Sequence, residues 1–191
     1  MQKSIITIIN QSAENFNNIS NDSNIILGIH NIVNLIVDAF QNDNKLLLCG
    51  NGGSAADAQH IAAELSGRFM KDRKPLYAEA LHVNSSYLTA VSNDYGFEKT
   101  YSRMIEASGK SGDVLLALST SGNSANVIQA LKKANELGMT TIGLSGKDGG
   151  EMNGICNAFV KIPSSSPARI QEAHILIGHI ICELVEAKIF E

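Results

Sequence analysis

The sequence has little positive charge, few cysteines and no long uninterrupted apolar run. Its 15 lysine and arginine residues are outnumbered by 19 acidic residues, which gives a net charge of −4. A groove for nucleic acid requires clustered lysine and arginine, so we expect no nucleic-acid partner. No apolar run approaches the ~20 residues of a membrane span, and no signal-peptide pattern opens the chain. We therefore expect no membrane association.

The chain has three cysteines, Cys49, Cys156 and Cys182, which are far apart and form no CxxC motif. Cys49 and Cys182 lie in apolar runs, as buried free cysteines do, and this pattern suits the reducing cytoplasm. With 191 residues, of which 44% are hydrophobic, the chain is long enough for one domain with a sizeable core. We therefore expect a single cytoplasmic domain.

The stretch from Lys45 to Leu65 has the pattern of a strand, a glycine-rich turn and a helix in direct succession. Its apolar run LLLC is typical of a strand buried on both faces of a parallel sheet, and GNGGS then breaks that run. A glycine-rich turn at a helix start directs free backbone N–H groups, with the helix dipole behind them, at an anionic or polyhydroxyl ligand. Close packing without a ligand is the alternative interpretation of the turn.

His60 and Glu64 follow on the same predicted helix at a spacing of i, i+4. At about 100° per residue they share one face, so both could address one proton or one metal ion. An ordinary surface pair is the alternative. Their position on the helix that the glycine-rich turn opens favours the functional interpretation.

Residues 119–124 repeat the same arrangement with hydroxyl groups in place of glycines. A predicted strand over residues 114–118 leads into STSGNS, and a predicted helix over residues 125–136 follows. Four hydroxyl groups in six residues at a helix start are typical of a phosphate or phosphosugar site. They belong to Ser119, Thr120, Ser121 and Ser124. Simple N-capping by Ser121 or Ser124 is the alternative.

The remaining segments alternate between helices and strands. Helical periods are found over residues 4–19, 25–40, 87–92, 97–107 and 169–190, and strand patterns over residues 76–83, 140–144 and 158–162. We expect a turn at residues 20–24, a polar loop at residues 93–96 and a short helical passage at residues 149–157. This alternation predicts a doubly wound, flavodoxin-like α/β domain with a parallel sheet, N-terminal helices, and ligand groups at the carboxyl ends of the strands.

Two of the predicted helices have unusual compositions. The helix over residues 25–40 is apolar over a wider arc than one sheet face needs, so we interpret it as buried between the sheet and a second subunit. Burial inside a monomer is the alternative. The last helix carries Gln171, His174 and His179, and the first and last of these are spaced so that they flank one site. A histidine on this apolar helix could instead be a core residue.

Four motifs together identify a family that the sequence resembles. They are GNGGSAADAQHIAAEL, SNDYGFE, ALSTSGNSANVI and RIQEAHILIGHII, and they occur in this family's order from the second helix to the C-terminus. The sequence resembles the phosphoheptose isomerase family of SIS (sugar isomerase) proteins. The resemblance implies one SIS domain over residues 1–191, with residues 1–40 used in packing a homotetramer. It also implies isomerisation of sedoheptulose 7-phosphate to D-glycero-D-manno-heptose 7-phosphate, the first step of nucleotide-activated heptose biosynthesis.

The resemblance also assigns roles to individual residues. It implies catalysis by Glu64 and His179. Substrate binding would involve Asn51, Gly52, Gly53, Glu64, Asn93, Asp94, Ser119, Thr120, Ser121, Ser124 and Gln171. One zinc ion per subunit would be held by His60, Glu64, Gln171 and His179. Some members carry an acidic residue where this chain has Ala168, so no role is transferred to that position.

The chemistry of ketose–aldose conversion agrees with these residue types. A proton must move between adjacent carbons through an enediol, which requires a carboxylate base, a proton carrier for the oxygens and a group that polarises the carbonyl. A non-catalytic SIS protein, such as the relative that binds the bacterial replication initiator, is the alternative. Such a protein has no need of His60, Glu64, Gln171 and His179 together, so their joint presence favours the enzyme.

Overall fold

Five short parallel strands form one sheet in the order β2-β1-β3-β4-β5, in a computed structural model that describes all 191 residues. The strands are β1 (Leu46–Gly50), β2 (Ala78–Ala80), β3 (Val114–Ser119), β4 (Thr140–Ser145) and β5 (Ala158–Lys161). Every residue of β1 and β3 is buried, as expected of central strands in a parallel sheet. This strand order confirms the predicted doubly wound, flavodoxin-like class, in which the ligand crevice opens between the carboxyl ends of β1 and β3.

Seven α-helices connect and cover the strands. They are α1 (Gln2–Asn21), α2 (Ser23–Gln41), α3 (Gly53–Ser66), α4 (Ser85–Tyr95), α5 (Thr100–Ser108), α6 (Ala125–Glu136) and α7 (Pro167–Phe190). Two 3-10 segments, Phe97–Lys99 and Gly150–Gly154, complete the regular structure. The strand–turn–helix units at β1–α3 and β3–α6 are therefore present where the sequence predicted them.

The sheet separates two apolar layers. Alternate strand residues point to opposite faces, so Leu46 and Leu48 join the cluster formed with α2, α3 and α7, whereas Leu47 and Cys49 join the cluster formed with α5 and α6. By length and composition alone, α2 could cross a membrane. However, seven of its residues are buried and it packs against α7 and β5, so here it is a core helix.

The predicted turn at residues 20–24 is wrong in extent, because only Asp22 interrupts the helical backbone between α1 and α2. The Asp22 carboxylate accepts the N–H groups of Asn24 at 2.8 Å and Ile25 at 3.3 Å, so this one residue caps α2. Residues 2–11 of α1 are all exposed, and the helix rests on the body only through its second half. The first half of α1 therefore extends away from the single-chain core.

Three other boundaries differ from the prediction. The strand predicted over residues 76–83 is reduced to Ala78–Ala80, because this edge strand pairs only with residues 46–48 of β1. The polar loop predicted at residues 93–96 is wrong, because α4 continues to Tyr95 and ends at Gly96, whose φ of 87° stops the helix. The helical passage predicted at residues 149–157 is a shorter 3-10 segment.

Candidate active site

The turn between β1 and α3 presents unpaired backbone donors. Gly52 has φ 57°, a conformation that favours glycine, and a Cβ atom placed there would meet no atom within 4 Å. The N–H groups of Gly52 and Gly53 have no acceptor in the chain, because the hydrogen bonds of this turn begin with the donor Ser54. An open space therefore lies above free N–H groups at the start of a 14-residue helix.

Gln171 from α7 reaches this turn from the side. A Cβ atom on Gly53 would lie 2.6 Å from the Gln171 side-chain nitrogen, so the lack of a side chain at position 53 is what admits the amide. This contact brings the predicted substrate contacts Gly53 and Gln171 together.

The hydroxyl-rich loop forms a cluster at the start of α6. The Oγ of Ser119, a buried residue, lies 2.9 Å from the Oγ of Ser124 and 3.5 Å from the Oγ of Ser121. Ser124 occupies the N-cap position but makes no side-chain capping bond, and Ser121 accepts only the N–H of Asn123 within the loop. The N–H groups of residues 124–126 have no acceptor in the chain. N-capping therefore does not explain the Ser124 hydroxyl, and the free donors suit an anion.

The segment after β4 braces this loop. Gly146 donates its N–H to the carbonyl of Thr120 at 3.1 Å, and Met152 donates to the carbonyl of Gly122 at the same distance. A Cβ atom on Gly122 would lie 2.0 Å from the carbonyl oxygen of Gly149, so the two loops can pack this closely only with glycine at position 122. No local pattern in the sequence indicates this support, because it joins loops that follow different strands. Thr120 and Ser121 also line a cleft of about 260 Å³ between these loops.

His60, Glu64 and His179 converge on one point. The Nε2 atoms of the two histidines are 3.1 Å apart, and the same nitrogen of His60 lies 3.1 Å from Oε1 of Glu64. One ligand atom from each of the three residues lies within 4.8 Å of the other two. Helices α3 and α7 pack against each other, and this contact joins residues that are 119 positions apart in the chain.

This set of donors fits a metal ion. Ligands at about 2.0–2.1 Å from a tetrahedral zinc ion stand roughly 3.3 Å from one another, close to the two 3.1 Å separations at Nε2 of His60. Two imidazoles and a carboxylate are ordinary zinc ligands, and such a set leaves a fourth position for Gln171, water or substrate. Half of the His60 side-chain surface is exposed, so the cluster is open to solvent and to a ligand.

The segment after α3 forms one wall of this cluster. The Phe69 ring stacks against His179 with ring centroids 5.9 Å apart. Glu186 of α7, a buried residue, accepts hydrogen bonds from the N–H groups of Phe69, Met70 and Lys71 and pairs with Arg73 at 2.9 Å.

Arg73 ties the same segment to the carboxyl end of α3. Its guanidinium donates to the carbonyl oxygens of Glu64, Leu65 and Gly67 at 2.8 to 3.0 Å. The buried pair Arg73–Glu186 therefore fixes the backbone that carries Glu64 and the ring that covers His179.

Asp57 is a further carboxyl group near the cluster that the sequence analysis missed. It lies one helical turn before His60 on α3, and burial raises its pKa to about 6, although the charge of His60 acts in the opposite direction. Its Oδ2 atom is buried without a hydrogen-bond partner. The i, i+3 spacing from His60 was the available signal, but that spacing alone does not reveal burial.

The two histidines of α7 have different environments. His174 is fully buried, and burial lowers its pKa to about 4, so it is neutral near pH 7 and fits the core-residue interpretation. His179 lies one to two turns further along the helix and faces His60.

Asn93 and Asp94 lie apart from the other candidate residues within one chain. They occupy the last turn of α4, are exposed, and are joined by a 2.9 Å hydrogen bond from the Asn93 amide to the Asp94 carboxylate. No hydrogen bond or ion pair connects either side chain to the hydroxyl-rich loop or to His60, Glu64 and His179. Their predicted role in substrate binding stays a prediction.

Asn51 is held by Asn126 and Tyr101, which no sequence motif indicated. Its side-chain amide donates to Oδ1 of Asn126 at 2.8 Å, and the amide of Asn126 donates back to Oδ1 of Asn51 at 2.9 Å. The buried hydroxyl of Tyr101 donates to the carbonyl of Gly50, the residue before Asn51. Burial raises the pKa of Tyr101, so the phenol stays protonated and able to donate.

Comparison with known proteins identifies the family of this chain. The model of the SIS domain matches residues 7–146. The chain is 50% identical over 190 residues to a phosphoheptose isomerase of Clostridium acetobutylicum, an alignment that covers 100% of this chain and 97% of the relative. It is 48% identical over 183 residues to a phosphoheptose isomerase of Campylobacter jejuni, with coverages of 95% and 98%.

Solved structures give the same result. The phosphoheptose isomerase of Neisseria gonorrhoeae superposes with a TM-score of 0.91 at 40% sequence identity, covering 97% of this chain and 98% of the other. A phosphoheptose isomerase from Francisella tularensis gives 0.93 at 33% identity with the same coverages. Sequence identity of 50% along the whole chain, together with a fold shared with solved phosphoheptose isomerases, shows that the chain belongs to the phosphoheptose isomerase family of SIS-domain proteins.

Proposed function

We propose that this chain isomerises sedoheptulose 7-phosphate to D-glycero-D-manno-heptose 7-phosphate through an enediol, as the first step of nucleotide-activated heptose biosynthesis. It is a sugar-phosphate isomerase by family. The observation that carries the proposal is the convergence of His60, Glu64 and His179 beside a glycine turn with free N–H groups. A non-catalytic phosphosugar-binding protein needs the phosphate loop but has no use for this cluster.

In the proposed binding mode, the loop at the start of α6 holds the phosphate. The hydroxyl groups of Ser119, Thr120, Ser121 and Ser124, with the free N–H groups of residues 124–126, supply neutral donors at the positive end of a 12-residue helix. The sugar chain then extends toward Gly52 and Gly53, with Gln171 beside it.

In the proposed chemistry, Glu64 and His179 move the protons. The Glu64 carboxylate takes the proton from one carbon and returns it to the neighbouring carbon, which converts ketose to aldose through the enediol. His179 exchanges protons with the two enediol oxygens. Oε1 of Glu64 lies 3.1 Å from Nε2 of His60, and Oε2 is the oxygen that we assign to this transfer.

The proposed cofactor is one zinc ion per subunit, held by His60, Glu64 and His179, with Gln171 as the fourth protein ligand from the family resemblance. When bound, the ion supplies Lewis-acid polarisation of the substrate carbonyl. The donor types and separations of the three clustered residues support this proposal.

The metal proposal predicts that His60→Ala loses most of the bound zinc, whereas its thermal unfolding temperature changes little. Losing one of three or four ligands weakens metal binding, whereas a half-exposed histidine contributes little to the core. Metal content by elemental analysis and thermal unfolding should be measured on the same samples. Added zinc should restore part of the activity. A variant that keeps a full zinc equivalent would exclude His60 from the ligand set.

The reaction itself is tested by incubating purified, metal-analysed protein with sedoheptulose 7-phosphate and following the products by NMR. The expected result is a new aldose signal that grows to an equilibrium with the ketose. Sedoheptulose without phosphate is the control and should react much more slowly. Binding of the phosphorylated sugar without turnover would identify a binding protein and overturn the proposed activity.

The proposed assembly is a homotetramer in which residues 1–40 pack between subunits. The supporting observation is an apolar surface on the extended part of α1, where four isoleucines are at least half exposed. They are Ile5, Ile6, Ile8 and Ile9. Ile26 and Leu27 of α2 add to the exposed apolar surface.

The three cysteines are free, which is consistent with the proposed cytoplasmic location.

We expect sedimentation velocity at micromolar concentration to give a tetramer. A double substitution, Ile5→Glu with Ile9→Glu, should produce smaller species, because it places two charges in the apolar surface that the proposal buries. Lys3→Glu, a charge change on the same exposed helix turn, is the matched control and should assemble normally. A monomeric wild type would show that residues 1–40 have another role.

A further inference from the structure

The two ligand loops of the site are joined by a reciprocal pair of amides. Asn51 directly follows β1, and Asn126 is the second residue of α6, so the pair bridges the carboxyl ends of β1 and β3. Asn126 is only 2% exposed, and its Oδ1 also accepts the N–H of Val127 at 3.0 Å. Both polar atoms of the buried Asn126 side chain therefore have partners within the protein.

The bridge also engages both polar atoms of the Asn51 side chain. Its oxygen accepts from Asn126, and one of its two N–H groups donates to Asn126. Tyr101 fixes the preceding carbonyl and lies 3.5 Å from the same Asn51 oxygen. The main effect of the Asn51 side chain is thus to orient the backbone that follows it, which presents the free N–H groups of Gly52 and Gly53.

Asn126 faces both loops with different atoms. Its backbone N–H is one of the unpaired donors at the start of α6, whereas its side chain holds the glycine-rich turn. An anion bound at the helix start restrains the backbone of Asn126, and the amide pair passes that restraint to Asn51. Coupling of this kind requires a continuous chain of contacts between the two sites, which these bonds supply.

We propose that Asn126 is a positioning residue through which occupancy of the phosphate loop orders the sugar-binding turn. This inference rests on the proposed function, because it takes the loop as the phosphate site and the turn as the sugar site. As a consequence, phosphate alone, without the sugar, should order the backbone of the turn at residues 51–56. The preferred ligand is then a phosphorylated sugar. Its binding free energy should be more favourable than the sum of those of the sugar and of phosphate measured separately.

The test is hydrogen–deuterium exchange of the full-length protein with and without inorganic phosphate. In the wild type, phosphate should slow exchange both at residues 119–128 and at residues 51–56. In Asn126→Ala, protection should remain at the first segment and disappear at the second. Asn135→Ala is the matched control, because this second asparagine of α6 bonds to Thr141 and Ile155, away from the turn. It should behave as the wild type does.

Kinetics provide the second arm. Asn126→Ala should raise the KM for the sugar phosphate about tenfold, a size typical of coupling between contacting residues, while the inhibition constant of inorganic phosphate changes less than about twofold. Asn51→Ala should have the same effect, and the double variant should be no worse than either single variant. Asn51→Ala also serves if Asn126→Ala does not fold, because Asn51 is only partly buried.

The outcomes separate the two ideas. Equal losses of sugar-phosphate and inorganic-phosphate binding in Asn126→Ala, additive effects in the double variant, or protection of residues 51–56 that survives the substitution would each overturn the positioning role. A wild type that binds neither phosphate nor sugar phosphate would instead overturn the proposed function.

Discussion

The substitution Glu64→Gln is expected to lower kcat by about 10²–10⁴-fold while the substrate still binds. Glutamine keeps the size of the side chain and one hydrogen-bonding oxygen, but it removes the carboxylate that accepts a carbon-bound proton. His179→Gln should behave in the same way, because the enediol oxygens then lose their proton carrier. The loss should fall on kcat more than on KM, since the donors at residues 52–53 and 119–126 are unchanged.

The decisive measurement is solvent-deuterium incorporation into substrate and product by Glu64→Gln. The expected result is exchange slowed in proportion to kcat. Glu183→Gln, at an exposed glutamate of α7, is the control and should exchange as the wild type does. Exchange by Glu64→Gln at the wild-type rate would assign the carbon-bound proton to another residue, and the half-buried Asp57 would then be the first to examine.

The substitution Arg73→Met is expected to lower the free energy of unfolding by about 3–5 kcal/mol. Removing one partner of a buried ion pair leaves the other charge uncompensated, and that penalty exceeds what the pair contributes when intact. Here the partner is Glu186, which is 1% exposed, and three carbonyl oxygens at the end of α3 also lose a donor. Activity should fall as well, because these carbonyls include that of Glu64.

Urea unfolding at one fixed protein concentration measures this loss, since the stability of an oligomer depends on concentration. Lys133→Met removes the exposed pair with Glu136 and should change stability little. A comparably small loss in Arg73→Met would mean that Glu186 is adequately held by its three backbone donors alone.

The buried Arg73–Glu186 pair also predicts how the stability of the fold depends on pH. Burial acts to raise the pKa of Glu186, but the N–H groups of Lys71, Phe69 and Met70, together with Arg73, outweigh burial and hold the pKa below its usual range. A carboxyl group with a lowered pKa stabilises the fold above its unfolded value of about 4.3 and loses that contribution as the pH falls through the folded value. Glu186→Gln should therefore flatten the acid side of the stability profile.

Local patterns were sufficient for most of the fold. The helix over residues 125–136 has the predicted bounds, because its apolar period, the serine-rich loop before it and Gly138 just after it are all local signals. The edge strand around residues 76–83 was predicted too long, because its length depends on where its partner β1 diverges from it. The end of α4 was misplaced, because polar Asn93 and Asp94 suggested a loop although the helix stops only at Gly96.

The site could be predicted in part only. The spacing of His60 and Glu64 and the hydroxyl groups of residues 119–124 are visible in short windows, and the structure brings His179 to the first pair as the family resemblance implied. The partners Asn51–Asn126 and Arg73–Glu186 are 75 and 113 residues apart. No local period links residues so distant, and asparagine or arginine at such positions is common on surfaces, so these supports became visible only in the folded chain.

Because the first half of α1 is exposed within one chain, the helical order of the N-terminus should depend on protein concentration. A helical stretch of about ten residues without tertiary contacts is marginal in water, even when its sequence favours helix. Residues 2–11 have no buried position within one chain, so in the proposed tetramer the packing that stabilises their helix comes from a neighbouring subunit. We then expect dilution below the dissociation constant of the tetramer to fray this end first, and a protease to cut there before it reaches any part of the sheet.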